Sequence, residues 1–510
     1  MTGPALAPRR MSPLVSATCQ RLIATTPPDV AGQIREILGR LQGPLQLAVA
    51  GRIKSGKSTV VNGLIGRRVS PTDIRECTRM VTRFQYGTVD RVEVRKLDGT
   101  TLTLPYDDDG VIPADLGCEP HEVAVVDAYL TYEMLRHVTI IDTPGLASLD
   151  AQSVGRTQGM LGETGGVSAL DGVDEQSQIA VSSAEAVLYV LTQSVRADDA
   201  EALNAFRRAS SGQTSSPINA LAILNKADQV TADEPMKAAI ELAREHSHTL
   251  RHAVSQVLPL VGLVAESTGT GYFSEADAQT LRAVATLDDV TRQMMFMSTD
   301  LFTRPEIGVD PDARERLLVK LDLYGIRVAV DAIIADGQIS TGELRTILES
   351  ASGYPKLRAI IDGVFSVRAD DIKSAVALSA LDSLAAKCAP GPRDLIYDAL
   401  EELYQHPEAQ QLRLLEAATL VTSGKVDLPD DMFDEVRNLV TGTNPGEMLG
   451  TPGASSDELI TAALEGAGRW RSFATFGSNP TQARIAHIIH RSYFLIWQQL
   501  RAPNTGGAIS

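Results

Sequence analysis

Eight residues, Gly51-Arg52-Ile53-Lys54-Ser55-Gly56-Lys57-Ser58, constrain this chain more than any other stretch. They follow the apolar run 45–50 and precede Thr59-Val60-Val61-Asn62-Gly63-Leu64-Ile65-Gly66. A buried strand, a glycine-bounded loop and a helix start in that order form the setting that a G-x-x-x-x-G-K-[ST] phosphate loop requires. Gly51 and Gly56 let the backbone turn so that successive N–H groups, Ser55 and Thr59 among them, surround phosphates; the helix N-terminus adds its dipole. Lys57 would reach the β- and γ-phosphates, and Ser58 would ligate Mg²⁺. The bland alternative is a surface turn rich in Gly, Ser and Lys.

At 510 residues the chain is too long for one compact core, so two or three domains are expected. A formal net charge of −17 argues against a dedicated nucleic-acid binder, and 5% aromatic residues leave few stacking platforms for RNA. Cys19, Cys77, Cys118 and Cys388 are scattered without a C-x-x-C pair, so a zinc site or disulfide framework is not expected and a cytoplasmic setting is. No apolar run approaches the roughly 18 residues that span a bilayer, so any membrane contact is peripheral, at the inner face of the plasma membrane.

Residues 1–18 read as a mobile tail, and 19–42 as one helix with Thr26 as its cap and Val30, Ile34, Ile37, Leu38 and Leu41 on one face. After the phosphate loop come β-like runs at 81–86 and 92–95, with Asp98-Gly99 as a hairpin signal before 100–104. Residues 105–122 read as loop. Buried strands are expected at 138–141, 186–191, 220–224 and 257–264, with a mobile Gly/Ser/Gln segment at 148–178. Strands alternating with helices predict an α/β domain with a mostly parallel sheet and helices on both faces, over 43–305. From 306 to 510 helical periodicity dominates, interrupted by a Gly/Pro/Ser/Thr linker near 441–456, which predicts an all-α bundle.

Two further motifs complete a nucleotide site. Asp142-Thr143-Pro144-Gly145 follows a strand; Asp142 would hold Mg²⁺ and the Gly145 N–H the γ-phosphate. Asn225-Lys226-Ala227-Asp228 would select guanine. The Asp228 carboxylate matches the two donors of the guanine edge, Asn225 braces the loop, and the Lys226 stem lies along the base. Thr78 is the choice for the loop threonine that contacts Mg²⁺ and the γ-phosphate, with Thr72 and Thr82 as alternatives. The run 257–265, ending at Glu266-Ser267, reads as a last strand whose following loop packs on the base.

In this order the motifs resemble those of dynamin-like GTPases. Glu76-Cys77-Thr78 leading to Tyr86-Gly87, and Leu323-Tyr324-Gly325-Ile326-Arg327 opening the helical half, resemble bacterial members, in particular the shorter of the mycobacterial isoniazid-inducible pair. The resemblance implies an α/β P-loop GTPase head on a helical neck and trunk, with the first and last helices sharing one bundle. It also implies GTP as substrate and Mg²⁺ as cofactor. The partner would be a second copy paired through the GTPase face or a related dynamin-like protein, and hydrolysis would be coupled to membrane remodelling.

Leu146 stands where Ras-like GTPases carry their water-orienting glutamine, so the residue cannot do that task here. Lys54 is then a candidate for charge supplied to the phosphates on dimerisation, the alternative being a solvated lysine on the loop rim. Catalysis is thus expected of Lys54, Lys57, Thr78 and Gly145. Two functions remain open: a mechanochemical GTPase at membranes, or a regulatory switch whose helical half binds a protein. Ser352-Gly353-Tyr354-Pro355-Lys356-Leu357-Arg358 is the candidate for a membrane-active tip, or else a plain helix–helix connection.

Overall fold

The computed structural model describes residues 11–52, 54–70, 80–143, 184–192, 217–230, 234–304, 306–406, 409–442 and 444–501. Helices α1 (Ser12–Thr25) and α2 (Pro28–Gln42) open it, each with proline in its first turn, where a missing N–H is harmless. The tail expected over 1–18 therefore gives way to helix at Ser12, because Val15, Cys19 and Leu22 form a buried stripe. Thr26 closes α1 instead of capping α2: its hydroxyl donates to the Leu22 carbonyl at 2.7 Å.

Strand β1 (Leu45–Gly51) leads through the phosphate loop into α3 (Lys57–Ile65). There follow β2 (Thr82–Tyr86), β3 (Arg91–Lys96), β4 (Thr101–Leu104), β5 (Val123–Leu130), β6 (Val138–Asp142), β7 (Ala186–Leu191) and β8 (Ala220–Asn225). Then come α4 (Pro235–Thr249), β9 (Val257–Leu260), α5 (Gly262–Gly269) and α6 (Glu275–Ala285). Among short turns of helix, the main helices of the remainder are α7 (Pro311–Ala335), α8 (Thr341–Ala351), α9 (Tyr354–Ile360), α10 (Val367–Lys387), α11 (Pro390–Gln405), α12 (Gln410–Thr422), α13 (Asp430–Thr441), α14 (Ser456–Phe476) and α15 (Pro480–Arg501).

The sheet order is β4-β3-β5-β2-β6-β1-β7-β8-β9. Strands β6, β1, β7, β8 and β9 run parallel, which is why β1 and β7 are apolar nearly throughout: helices cover both faces. β2 pairs antiparallel with β6 and carries the β5, β3, β4 extension outward. The last parallel strand is shorter than its apolar run suggests. It stops at Leu260, and Gly262 starts α5, so 262–265 is helix and not strand.

The boundary expected between 305 and 306 cuts through a core. Leu317, Leu321, Ile326, Leu344 and Leu348 pack in one cluster with Val187, Ala222 and Leu224 of the sheet. Tyr354, Leu357 and Ile361 join the opposite cluster with β1 and α3. Helices α7 to α9 thus belong to the head by packing. The segment 352–358 is docked there too: Tyr354 is 4% exposed and its hydroxyl donates to the Gly63 carbonyl at 2.8 Å. It is no exposed tip.

The first and last helices do not share one bundle. Helices α1 and α2 bury Val15, Leu22 and Ile34 against Leu381, Ile396 and Leu400 of α10 and α11. Helix α15 instead packs with α12, α13 and α14 around Trp470, which is fully buried. Helix α12 touches both units, and the Gln410 amide donates to the Ile488 carbonyl at 3.0 Å.

Candidate functional site

The C-terminal ends of β1, β6 and β8 meet at one edge of the sheet, where α/β folds hold ligands. Left-handed backbone shapes the loop after β1: Gly56 has φ 90° and Lys54 has φ 65°. A Cβ at Gly56 would lie 2.3 Å from Asn225 Nδ2, so both the turn and the close approach demand glycine. Lys54 is exposed, Ser55 is buried, and Gly51, the loop's first glycine, is buried against the Val190 carbonyl.

Lys57 donates from Nζ to the Gly51 and Arg52 carbonyls at 3.0 and 3.1 Å, which holds its ammonium at the loop mouth. Burial lowers its pKa, and the nearby Asp142 charge opposes that shift. Asp142 is pushed up to about 6 by burial, with Lys57 and the Ser70 and Ser58 hydroxyls working the other way. Its Oδ1 is buried with no hydrogen-bond partner among the described residues. A carboxylate oxygen left unpaired beside the Ser58 hydroxyl is a hard-oxygen donor set of the kind that suits magnesium. Thr143, next in the D-T-P-G run, anchors the strand end by donating its hydroxyl to the Val49 carbonyl at 2.9 Å.

The base-side motif is welded to the phosphate loop. Asn225 donates from Nδ2 to the Ser55 carbonyl at 2.8 Å and accepts at Oδ1 from the Gly262 N–H at 3.0 Å. Lys226 takes a left-handed conformation, φ 58°, that turns the chain into the short turn Ala227–Gln229. Asp228 is half-buried there. Burial raises its pKa, the Asp322 charge adds to that, and Lys226 opposes it.

The structure therefore brings Gly51, Lys54, Ser55, Gly56, Lys57, Ser58, Thr59, Asp142, Asn225, Lys226 and Asp228 to one end of the sheet. Thr78, its alternative Thr72, and Gly145 with Leu146 lie outside the described residues. Thr82 is a strand residue paired in register with Asp142, so it is not a loop threonine.

Sequence reasoning missed Ser70, whose hydroxyl reaches Asp142 at 3.3 Å, and Glu266, which accepts from Asn62 at 2.8 Å. It also missed the break in α7 at Asp322, φ 53° and ψ 177°, whose charge is felt by Asp228. No local pattern marks these residues, since each matters through a partner distant in the chain.

A model of the dynamin family matches residues 47–227. The isoniazid-induced protein IniC of Mycobacterium tuberculosis is 30% identical over 478 residues, 91% of this chain and 92% of the relative. A bacterial dynamin-like protein of Nostoc punctiforme is 31% identical over 126 residues, 22% of this chain and 18% of that protein. A solved structure described as an oligomerised bacterial dynamin pair for the long range sensing and tethering of membranes aligns with TM-score 0.32 and 12% identity, over 98% of this chain and 92% of its own. The α/β head with its helical remainder, the phosphate loop and the full-length similarity to IniC lead to one assignment: the chain belongs to the dynamin family, as a bacterial dynamin-like GTPase.

Proposed function

We propose that this GTPase binds GTP with Mg²⁺ in the cleft at the ends of β1, β6 and β8, and that pairing of two heads stimulates hydrolysis. The observation that carries the reading is the join between Asn225 and Ser55, which makes base recognition and phosphate binding one rigid unit. Asp228 reads the guanine edge. Ser58 and Asp142 hold the magnesium ion, together with Thr78, and Gly145 meets the γ-phosphate. The ion supplies charge neutralisation at the β- and γ-phosphates. Lys57 neutralises the same oxygens from the loop mouth, and Lys54, exposed on the rim, adds positive charge when a second head closes the site. Competition of GTP, ATP and their diphosphates for a fluorescent guanine nucleotide tests the binding part; equal competition by ATP would overturn it.

The work done with that hydrolysis is proposed to fall on a membrane surface, touched peripherally. With 352–358 docked on the head, the turn between α14 and α15 becomes the lipid-facing candidate. Phe476 at its start is 90% exposed, and the flanking helices carry the exposed Arg471 on α14 and Arg484 on α15. Among the described residues no helix is long and apolar enough to cross a membrane. The second reading is a switch that binds a related GTPase without lipid contact. The docking of Tyr354 favours it by removing one lipid-facing loop. Co-sedimentation with anionic liposomes in the presence of GTP separates the two. Pelleting that Phe476→Asp abolishes supports membrane action, and failure to pellet supports the switch.

A further inference from the structure

We infer that Ser70 is a positioning residue for the magnesium site, and that Asn62 and Glu266 form the buried clamp that sets it; this rests on the GTP reading above. Asn62 is fully buried and uses its whole hydrogen-bonding capacity. Its Oδ1 accepts the Val69 and Ser70 N–H groups at 3.0 and 2.8 Å. Its Nδ2 donates to the Ser70 carbonyl at 3.0 Å and to Glu266 Oε1 at 2.8 Å. Ser70 is thereby held by both its backbone groups. An amide with four partners has no alternative rotamer that keeps them all, so the position of Ser70 is over-determined.

The hydroxyl of this clamped serine donates to Asp142 Oδ2 at 3.3 Å. The other oxygen, Oδ1, is the buried one without a partner among the described residues. The division follows from the geometry. Ser70 engages one carboxylate oxygen and, with Ser58 beside the group, helps to orient it, so that the second oxygen would be free for the ion. Glu266, 4% exposed, anchors the far end of the clamp from α5 and pairs with Arg68 at 3.4 Å. The guanidinium of Arg68 stacks over Tyr272 at 4.4 Å, which ties the clamp to the segment after α5.

Groups that orient a metal ligand from outside typically change metal affinity by about 10–100-fold when removed. The test is a Mg²⁺ titration of fluorescent GDP binding by the full chain, with binding in EDTA measured beside it. In Ser70→Ala the Mg²⁺ concentration for half-maximal tightening rises roughly tenfold, while affinity in EDTA and melting temperature match wild type. Ser70→Thr, which keeps the hydroxyl, restores the wild-type midpoint. Asn62→Ala shifts the midpoint in the same direction, and the double variant shifts it no further than the larger single change. A wild-type Mg²⁺ midpoint in a folded Ser70→Ala protein would overturn the inference. Absence of guanine-nucleotide binding by the wild type in EDTA and Mg²⁺ alike would overturn the GTP reading instead, so the two failures are distinct.

Discussion

Asn225 joins the loop that would read the base to the loop that would hold the phosphates: its Nδ2 donates to the Ser55 carbonyl at 2.8 Å. The same side chain accepts the first N–H of α5, from Gly262, at 3.0 Å. Three segments distant in sequence therefore share one buried amide. Asn225→Ala leaves a buried carbonyl and a buried N–H unpaired, each worth about 1–3 kcal/mol. The melting temperature should fall and GTP affinity should fall with it, both readable by calorimetry. Gly56→Ala strikes the same joint from the other side, since its Cβ would meet Nδ2 at 2.3 Å. It should abolish nucleotide binding in a protein that keeps its helical content.

Asp228 is half-buried in the turn that would read the base, so its replacement should change which base binds. Asp228→Asn presents a donor where guanine also presents donors. A site that leaves a buried polar group unpaired discriminates strongly, and the loss for GTP should be at least about 10²-fold. A nucleotide whose base carries a carbonyl in place of the guanine amino group should bind the variant better than GTP does. Competition against a fluorescent guanine nucleotide reads both effects.

Tyr354 reports on the docking of α9 onto the phosphate-loop helix. Its hydroxyl reaches the Gly63 carbonyl at 2.8 Å, and burial raises the pKa of the phenol above its ordinary range. Tyr354→Phe keeps the ring in its apolar surroundings and removes one hydrogen bond, a loss of about 0.5–1.5 kcal/mol. Chemical denaturation should show that loss without a change in slope.

The motif residues could be read from the sequence because their chemistry is local. Glycine at 51 and 56, lysine at 57 and the N-K-x-D run declare a backbone turn and a donor set within a few positions. Strand β5, at Val123–Leu130, escaped because its partners β2 and β3 lie before it and one face carries Asp127 and Tyr129. Asp127 alone looks unfit for a buried strand, yet Arg83 and Arg95 neutralise it in the fold. The extent of the head escaped for a related reason. Helices α7 to α9 have stripes that any bundle could bury, and only the facing residues on β7, β8 and α3 decide where they pack.

At the opposite end of the sheet Glu185 sets a pH dependence. It is 4% exposed, accepts from the Gln46 N–H at 3.0 Å, and is pushed up to about 7 by burial against the opposing pull of Lys373 and Arg40. A folded-state pKa above the unfolded value means that the native protein binds the extra proton. Its contribution to stability is full below the unfolded pKa near 4.5 and is lost as pH rises through about 7. Glu185→Gln keeps an oxygen for Gln46 and removes the charge. It should flatten that part of the stability profile and raise stability at pH 8, by about 3 kcal/mol at most. Denaturation midpoints between pH 5 and 8 check the slope.

Lys54 combines a strained backbone with an exposed charge, and two substitutions separate them. Its φ of 65° is a conformation that costs an L-residue roughly 1–2 kcal/mol and glycine almost nothing. Lys54→Gly should therefore be more stable than Lys54→Ala by about 1 kcal/mol, whatever the side chain does. Both variants remove the ammonium. If that charge is delivered to the phosphates when heads pair, both should lose the part of GTP turnover that grows with protein concentration and keep nucleotide affinity. Lysine offers a point charge without the guanidinium fork, so Lys54→Arg should match or exceed wild type. Turnover per head that climbs with concentration equally in Lys54→Ala and wild type would leave Lys54 on the loop rim, solvated and idle.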